Sequence, residues 1–452
     1  MKLYHTSRLA LAALATSALA CAGSDLVDQT TDNEDNAFLS AEQFAEEAND
    51  GKEDTGYITS LDGREAELTI EAEVEATSYA RDRAPLEVGQ FALTWFRQNS
   101  DLYIQSLAED YADGEKQVEW LVGTAWKSWG TMTQAERDAA KRFRLTRVNA
   151  VFLHASSKGL ANGKVFEATV PLNPGTLMSD VGNACAEEGH ITASSSVYWY
   201  VWAPEKAGCK AKLQKAKATI TNLLPKGKTV YPEYDKLWAD KKLDIVVFWG
   251  QVEDNYSESD YGFYLTRRFE TSLTTAGFKK VAAPKGLRYE RTKKGFTTNV
   301  TIFSPREFKG LGDYANVQSF YDAVNANEVI VWNGHSMLGG SDFWASPQIY
   351  KDPSKYQIFL YNGCLGYEYY VKPILDGKKL AANVDLVSNV IETPFAIMNQ
   401  ITSTAVAMLS ASPEKGGVST WQSILTKMNA IGGEDSFYGT SAARDNVYKP
   451  KK

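Results

Sequence analysis

Val329-Ile330-Val331-Trp332-Asn333-Gly334-His335-Ser336 and Ile358-Phe359-Leu360-Tyr361-Asn362-Gly363-Cys364-Leu365-Gly366 are two apolar runs that end alike. Short continuous apolar runs closed by Asn-Gly read as strands buried on both faces, and such strands belong to parallel sheets flanked by helices. Working outward, Leu243–Trp249, Asn299–Phe303 and Val384–Val387 predict further strands, with a hairpin at Lys294-Gly295. Helical spacing falls over about Tyr261–Ala276, near Tyr314–Asn325, from about Tyr367, and after Pro394 and Ser419. Residues 239–452 are therefore expected to form an α/β domain with a mainly parallel sheet, whose working residues lie at the carboxyl ends of the strands.

If the two quoted runs are neighbours, His335 and Cys364 share one rim of that sheet. A thiol needs a partner that takes its proton and later returns one to a leaving group, and imidazole, with an ordinary pKa near 6.5, suits both steps. Taken singly, His335 reads as a strand-end polar residue and Cys364 as a small core hydrophobe; their joint placement after Asn-Gly is what points to chemistry. Gly334-His335-Ser336-Met337-Leu338-Gly339 imitates a hydrolase nucleophile elbow. Leu338 stands where that elbow needs glycine, however, and no histidine follows Ser336, so both facts oppose a serine triad.

The paired strand ends resemble the caspase-like clan of cysteine peptidases, and Phe343-Trp344-Ala345-Ser346-Pro347 is similar to a stretch following the histidine of its gingipain-type members. The resemblance covers about Lys242–Ala430 and implies a three-layer sandwich. It implies His335 as general base and acid, Cys364 as nucleophile, and the backbone N–H groups of Ser336 and Cys364 as the oxyanion site. That clan normally has glycine where Ser336 stands, and a side chain there crowds the oxyanion. It also implies a first specificity pocket near Asn389 and Glu392, where Glu392 would favour a basic residue before the scissile bond. The implied partner is a peptide or protein substrate, with no cofactor and no metal.

Ahead of this domain the signals are mixed. Glu65–Val74 alternates as a strand, helical spacing falls near Val88–Ser106 and Thr133–Arg144, and Val148–His154, Val165–Val170 and the aromatic Ser196–Trp202 read as strands. Residues 57–238 are expected to form an α+β accessory domain. Cys185 and Cys209, 24 residues apart, predict a disulfide in an oxidising compartment, the competing reading being a metal site with His190. Cys364 is then the odd thiol.

Residues 1–20 carry a cationic start, an apolar stretch and Ala18-Leu19-Ala20, the pattern of an export signal. Cys21 follows directly and resembles a lipoprotein acylation site; ordinary cleavage before an incidental cysteine is the alternative. Residues 21–56 are an acidic tether, in which eleven acids against Lys52 hold more than the whole chain's net charge of −8. The body is neutral, without the basic footprint of nucleic-acid binding. Hydrophobic residues at 44% and charged at 23% exclude a chain disordered throughout. The expected protein is an exported, lipid-anchored envelope cysteine peptidase. An inactive envelope binding or scaffold lipoprotein, using the aromatic accessory domain, stays open.

Overall fold

The computed structural model describes residues 58–59, 63–75, 81–104, 117–177, 184–187, 201–336, 342–379, 381–411, 418–443 and 446–450. The signal at 1–20, the tether at 21–56 with Cys21, His190 and the aromatic residues 196–200 lie outside them. The chain divides into two compact units, Ser60–Gly227 and a second built from Lys228 onward together with Ile58–Thr59. Val230, Tyr234, Leu237 and Trp238, which the sequence reading gave to the accessory domain, are buried in the core of the second unit.

Strand β1 (Ile58–Thr59) pairs in the second unit. The first contains β2 (Arg64–Glu73), β3 (Leu102–Ile104), β4 (Val118–Val122), β5 (Ala125–Ser128), β6 (Arg142–Phe152), β7 (Val165–Pro171) and β8 (Leu213–Leu223). Every pairing among these is antiparallel, in the order β5-β4-β6-β2-β8-β7, with β3 also on β6. The alternation read in β2 holds: Ala66, Leu68, Ile70 and Ala72 turn inward against Phe91, Leu93 and Phe96 of helix α1 (Ala84–Ser100). Two expectations fail. The helix anticipated to Ser106 ends at Ser100, where Asp101 turns left-handed and Leu102–Ile104 pairs with β6. The helix anticipated through Arg144 stops at Ala139, and Arg142 already begins β6, because Phe143 and Leu145 alternate inward while Arg142 and Arg144 pair with Glu71 and Glu119 on the outer face. The Cys185–Cys209 disulfide is present, with Cα atoms 4.5 Å apart. Within its loop Trp202 is buried edge-on against Phe91 at 4.9 Å.

The second unit contains β9 (Lys242–Trp249), β10 (Lys279–Val281), β11 (Leu287–Lys293), β12 (Phe296–Phe303), β13 (Val329–Asn333), β14 (Gln357–Asn362), β15 (Val384–Asn389) and β16 (Tyr438–Ser441). The sheet order is β1-β16-β15-β14-β13-β9-β12-β11-β10. The five central strands β15, β14, β13, β9 and β12 are mutually parallel, and the pairings at both edges are antiparallel. The β11–β12 hairpin turns at Lys294-Gly295, both with positive φ, as a type I′ turn requires.

Alternate residues of these strands feed opposite faces. Leu243, Ile245, Val247, Val329, Val331, Ile358 and Leu360 pack with helices α2 (Tyr261–Thr275), α5 (Phe395–Leu409) and α6 (Trp421–Gly432). On the other face Phe248 meets Phe320 of α3 (Val317–Ala326), and Tyr361 stacks on Tyr370, the residue preceding α4 (Val371–Lys378). The chain enters the parallel sheet at β9, between β13 and β12. It adds β12 on one side, then returns to add β13, β14 and β15 on the other. The strand order therefore reverses between β9 and β13, the kind of position at which open α/β sheets bind ligands beyond the carboxyl ends of the strands.

Candidate active site

Strands β13 and β14 pair in parallel with Asn333 opposite Asn362. Each asparagine is followed by glycine and then by the candidate residue, so His335 and Cys364 leave their strands at equivalent positions on one rim. A buried network fixes this register. Asn362 Nδ2 donates to Asn333 Oδ1 (2.8 Å) and Thr402 Oγ1 (3.0 Å), and Thr402 donates to the same Asn333 oxygen (2.7 Å). All three residues are fully buried, where such bonds are costly to break.

The glycines serve close approach. A Cβ on Gly334 would lie 2.9 Å from the Trp332 ring and 3.3 Å from Gly250 Cα, and one on Gly363 only 2.9 Å from Gly334 O. Only an unsubstituted backbone lets the two strand ends pass so near each other. Leu365, directly after Cys364, has φ 46°, a left-handed conformation that costs a branched residue energy and turns the chain sharply into the helical segment Gly366–Tyr369.

His335 is half-buried, its ring edge-on to Phe395 at 5.3 Å. Its Nε2 lies 2.8 Å from the carbonyl oxygen of Val252, on the loop after β9. A carbonyl only accepts, so Nε2 carries the hydrogen and Nδ1 is the basic nitrogen of the neutral ring. The reading of the sequence missed Val252, because a backbone acceptor leaves no signature in residue type.

Cys364 is buried, and its backbone N–H donates to Ser336 Oγ at 2.5 Å. Ser336 is buried too, its own carbonyl accepting from Tyr370 Oη at 2.8 Å. The hydroxyl therefore occupies the place an oxyanion would take on the Cys364 N–H. The expectation that Cys364 is the odd thiol is corrected: its sulfur is disulfide-bonded.

Asn389, expected to line a specificity pocket, is wholly buried. Its amide nitrogen donates to Gly363 O (2.6 Å) and Ile391 O (2.7 Å), so it fastens the turn that carries Cys364. Glu392 is half-buried on the same loop. His154 is exposed with φ 48° at the end of β6, a turn residue. Among the described residues no cluster of His, Cys, Asp and Glu has the arrangement of a metal site, and no helix is long and apolar enough to cross a membrane. No protein-family model, no curated protein and no solved structure matches the chain.

Proposed function

We propose that the second unit is a caspase-like cysteine peptidase domain that acts in its reduced form, with Cys364 as nucleophile and His335 as general base and acid. The observation that carries the proposal is the His335 Nε2–Val252 carbonyl bond, which fixes the tautomer on a strand end in register with the one bearing Cys364. The central strand order supports it, since that order reverses between β9 and β13, and His335 follows β13 directly while Cys364 follows the neighbouring β14.

In the reaction proposed, the Cys364 thiol passes its proton to His335 Nδ1 and its sulfur attacks a peptide carbonyl. The tetrahedral oxyanion takes the Cys364 N–H, displacing the Ser336 hydroxyl. The imidazolium then protonates the departing amine. Water, deprotonated by the same imidazole, releases the acid from the thioester and regenerates the thiol. Glu392, the charged group on the loop after β15, selects a basic side chain before the scissile bond. Export, and lipid anchoring at Cys21 in the same reduced form, belong to the same proposal, on the sequence pattern alone.

A second reading is an inactive envelope scaffold. It is favoured by the Ser336 hydroxyl on the oxyanion donor and by the disulfide at Cys364. Treating the reduced protein with peptidyl acyloxymethyl ketones ending in Lys or Asp decides between the two. The peptidase reading expects one adduct at Cys364, faster with Lys and lost in Cys364→Ala. The absence of any adduct on reduced, folded protein would favour the scaffold.

A further inference from the structure

The Val252–Glu253 peptide unit is held at both ends. Its carbonyl accepts from His335 Nε2 at 2.8 Å, and its N–H, on Glu253, donates to Asp260 Oδ2 at 2.8 Å. The same carboxylate takes the N–H of Val252 (3.0 Å to Oδ2) and, through Oδ1, that of Gly262 (2.7 Å). Asp260 is 1% exposed and is the N-cap of α2. Capping explains only the bond to Gly262. The bonds to Val252 and Glu253 run to another segment, the loop that supplies the histidine's acceptor.

We infer that Asp260 is a positioning residue for His335, acting through the Val252–Glu253 peptide. The inference rests on His335 being the proton carrier of the proposed site. Hydrogen bonds in series polarise one another in a low dielectric, so a carboxylate on the amide N–H strengthens the carbonyl at the other end as an acceptor. A stronger acceptor on Nε2–H stabilises the imidazolium and makes Nδ1 more basic. The gripped loop also holds the carbonyl still. Of the other charged groups on the two loops meeting here, Glu253 faces the Asp260 carboxylate itself, and burial together with that neighbour pushes its own pKa up. Glu253 accepts from Tyr261 N (2.8 Å), and the Lys309 ammonium lies 4.9 Å over the Tyr256 ring. Gly262 has no room for a side chain, since a Cβ there would lie 2.2 Å from Gly250 O, and this clamps the N-terminus of α2 to the end of β9.

The test is NMR titration of His335 in the full-length reduced protein, in wild type, Asp260→Asn and Asp260→Ser. Serine keeps a helix cap without the charge. The inference expects the midpoint of His335 to fall in both variants, and the rate of Cys364 alkylation at neutral pH to drop about tenfold, the scale seen when outer-shell partners are removed in metal sites. An unchanged midpoint in either folded variant overturns it. Should both variants unfold, the wild type suffices: the Glu253 amide resonance should move with the His335 titration, and a resonance that stays still overturns the inference. A wild type that shows the His335 shift but forms no peptidyl adduct supports the positioning role and defeats the peptidase reading.

Discussion

Asn362 donates its amide to Asn333 Oδ1 across adjacent parallel strands, at 2.8 Å and out of contact with solvent. This bond links the ends of β13 and β14 one residue before the glycines that lead to His335 and Cys364. Asn362→Ala should therefore destabilise the second unit by about 2 kcal/mol, the cost of stranding a buried polar partner. Urea unfolding should show a lowered midpoint with an unchanged slope.

Ser336 places its hydroxyl on the Cys364 N–H, and in the proposed reaction a substrate oxyanion would have to displace it. Ser336→Gly should speed adduct formation at Cys364 at least about tenfold, given that a single oxyanion donor is worth 10²–10³ in rate. Stopped adduct-formation assays on reduced protein measure this directly; a slower variant would make the hydroxyl part of the oxyanion site instead of its occupant.

Much of this was legible in the sequence, and the reasons are particular. The buried strands β9, β13 and β14 are continuous apolar runs, and Lys294-Gly295 has the turn chemistry that positive φ demands, so their placement needed no tertiary information. Arg142–Arg144 reads as helix from the sequence because a short apolar spacing suits helix and strand equally, and the decision falls to cross-strand partners Glu71 and Glu119, distant in sequence. At the site, the side chains that the proposed chemistry uses are visible by type. Val252, a backbone acceptor, and Asn389, a buried clamp, depend on loop geometry that residue identity does not encode.

Lys378 is buried at the end of α4, donating to Lys355 O and to Gln357 Oε1 at 3.0 Å. Burial pushes its ammonium down to about 7 from the ordinary 10.5, with Asp352 opposing the change. Between those two values the unfolded chain binds a proton that the folded one does not, so stability should rise with pH across that window and level off below it. Lys378→Met should flatten the rise; thermal melts at pH 7, 8 and 9 would show it.

The Cys185–Cys209 bridge closes a loop of 24 residues in the first unit. Replacing both cysteines with serine should cost that unit about 3 kcal/mol. Adduct formation at Cys364 should be unchanged, since the site lies wholly in the second unit. Calorimetry and intact-mass labelling of the same sample check both halves.

The central claim is that His335 Nδ1 and the Cys364 thiol act as a pair, and the pH dependence of Cys364 alkylation by iodoacetamide in the reduced protein tests it most directly. An isolated thiol becomes reactive only as it ionises near its ordinary pKa of about 8.5. The account predicts a reactive plateau in wild type beginning in the imidazole range, near pH 6 to 7, that His335→Gln abolishes, leaving a single rise above about pH 8. Identical profiles for wild type and His335→Gln, each with only the alkaline rise, would contradict it.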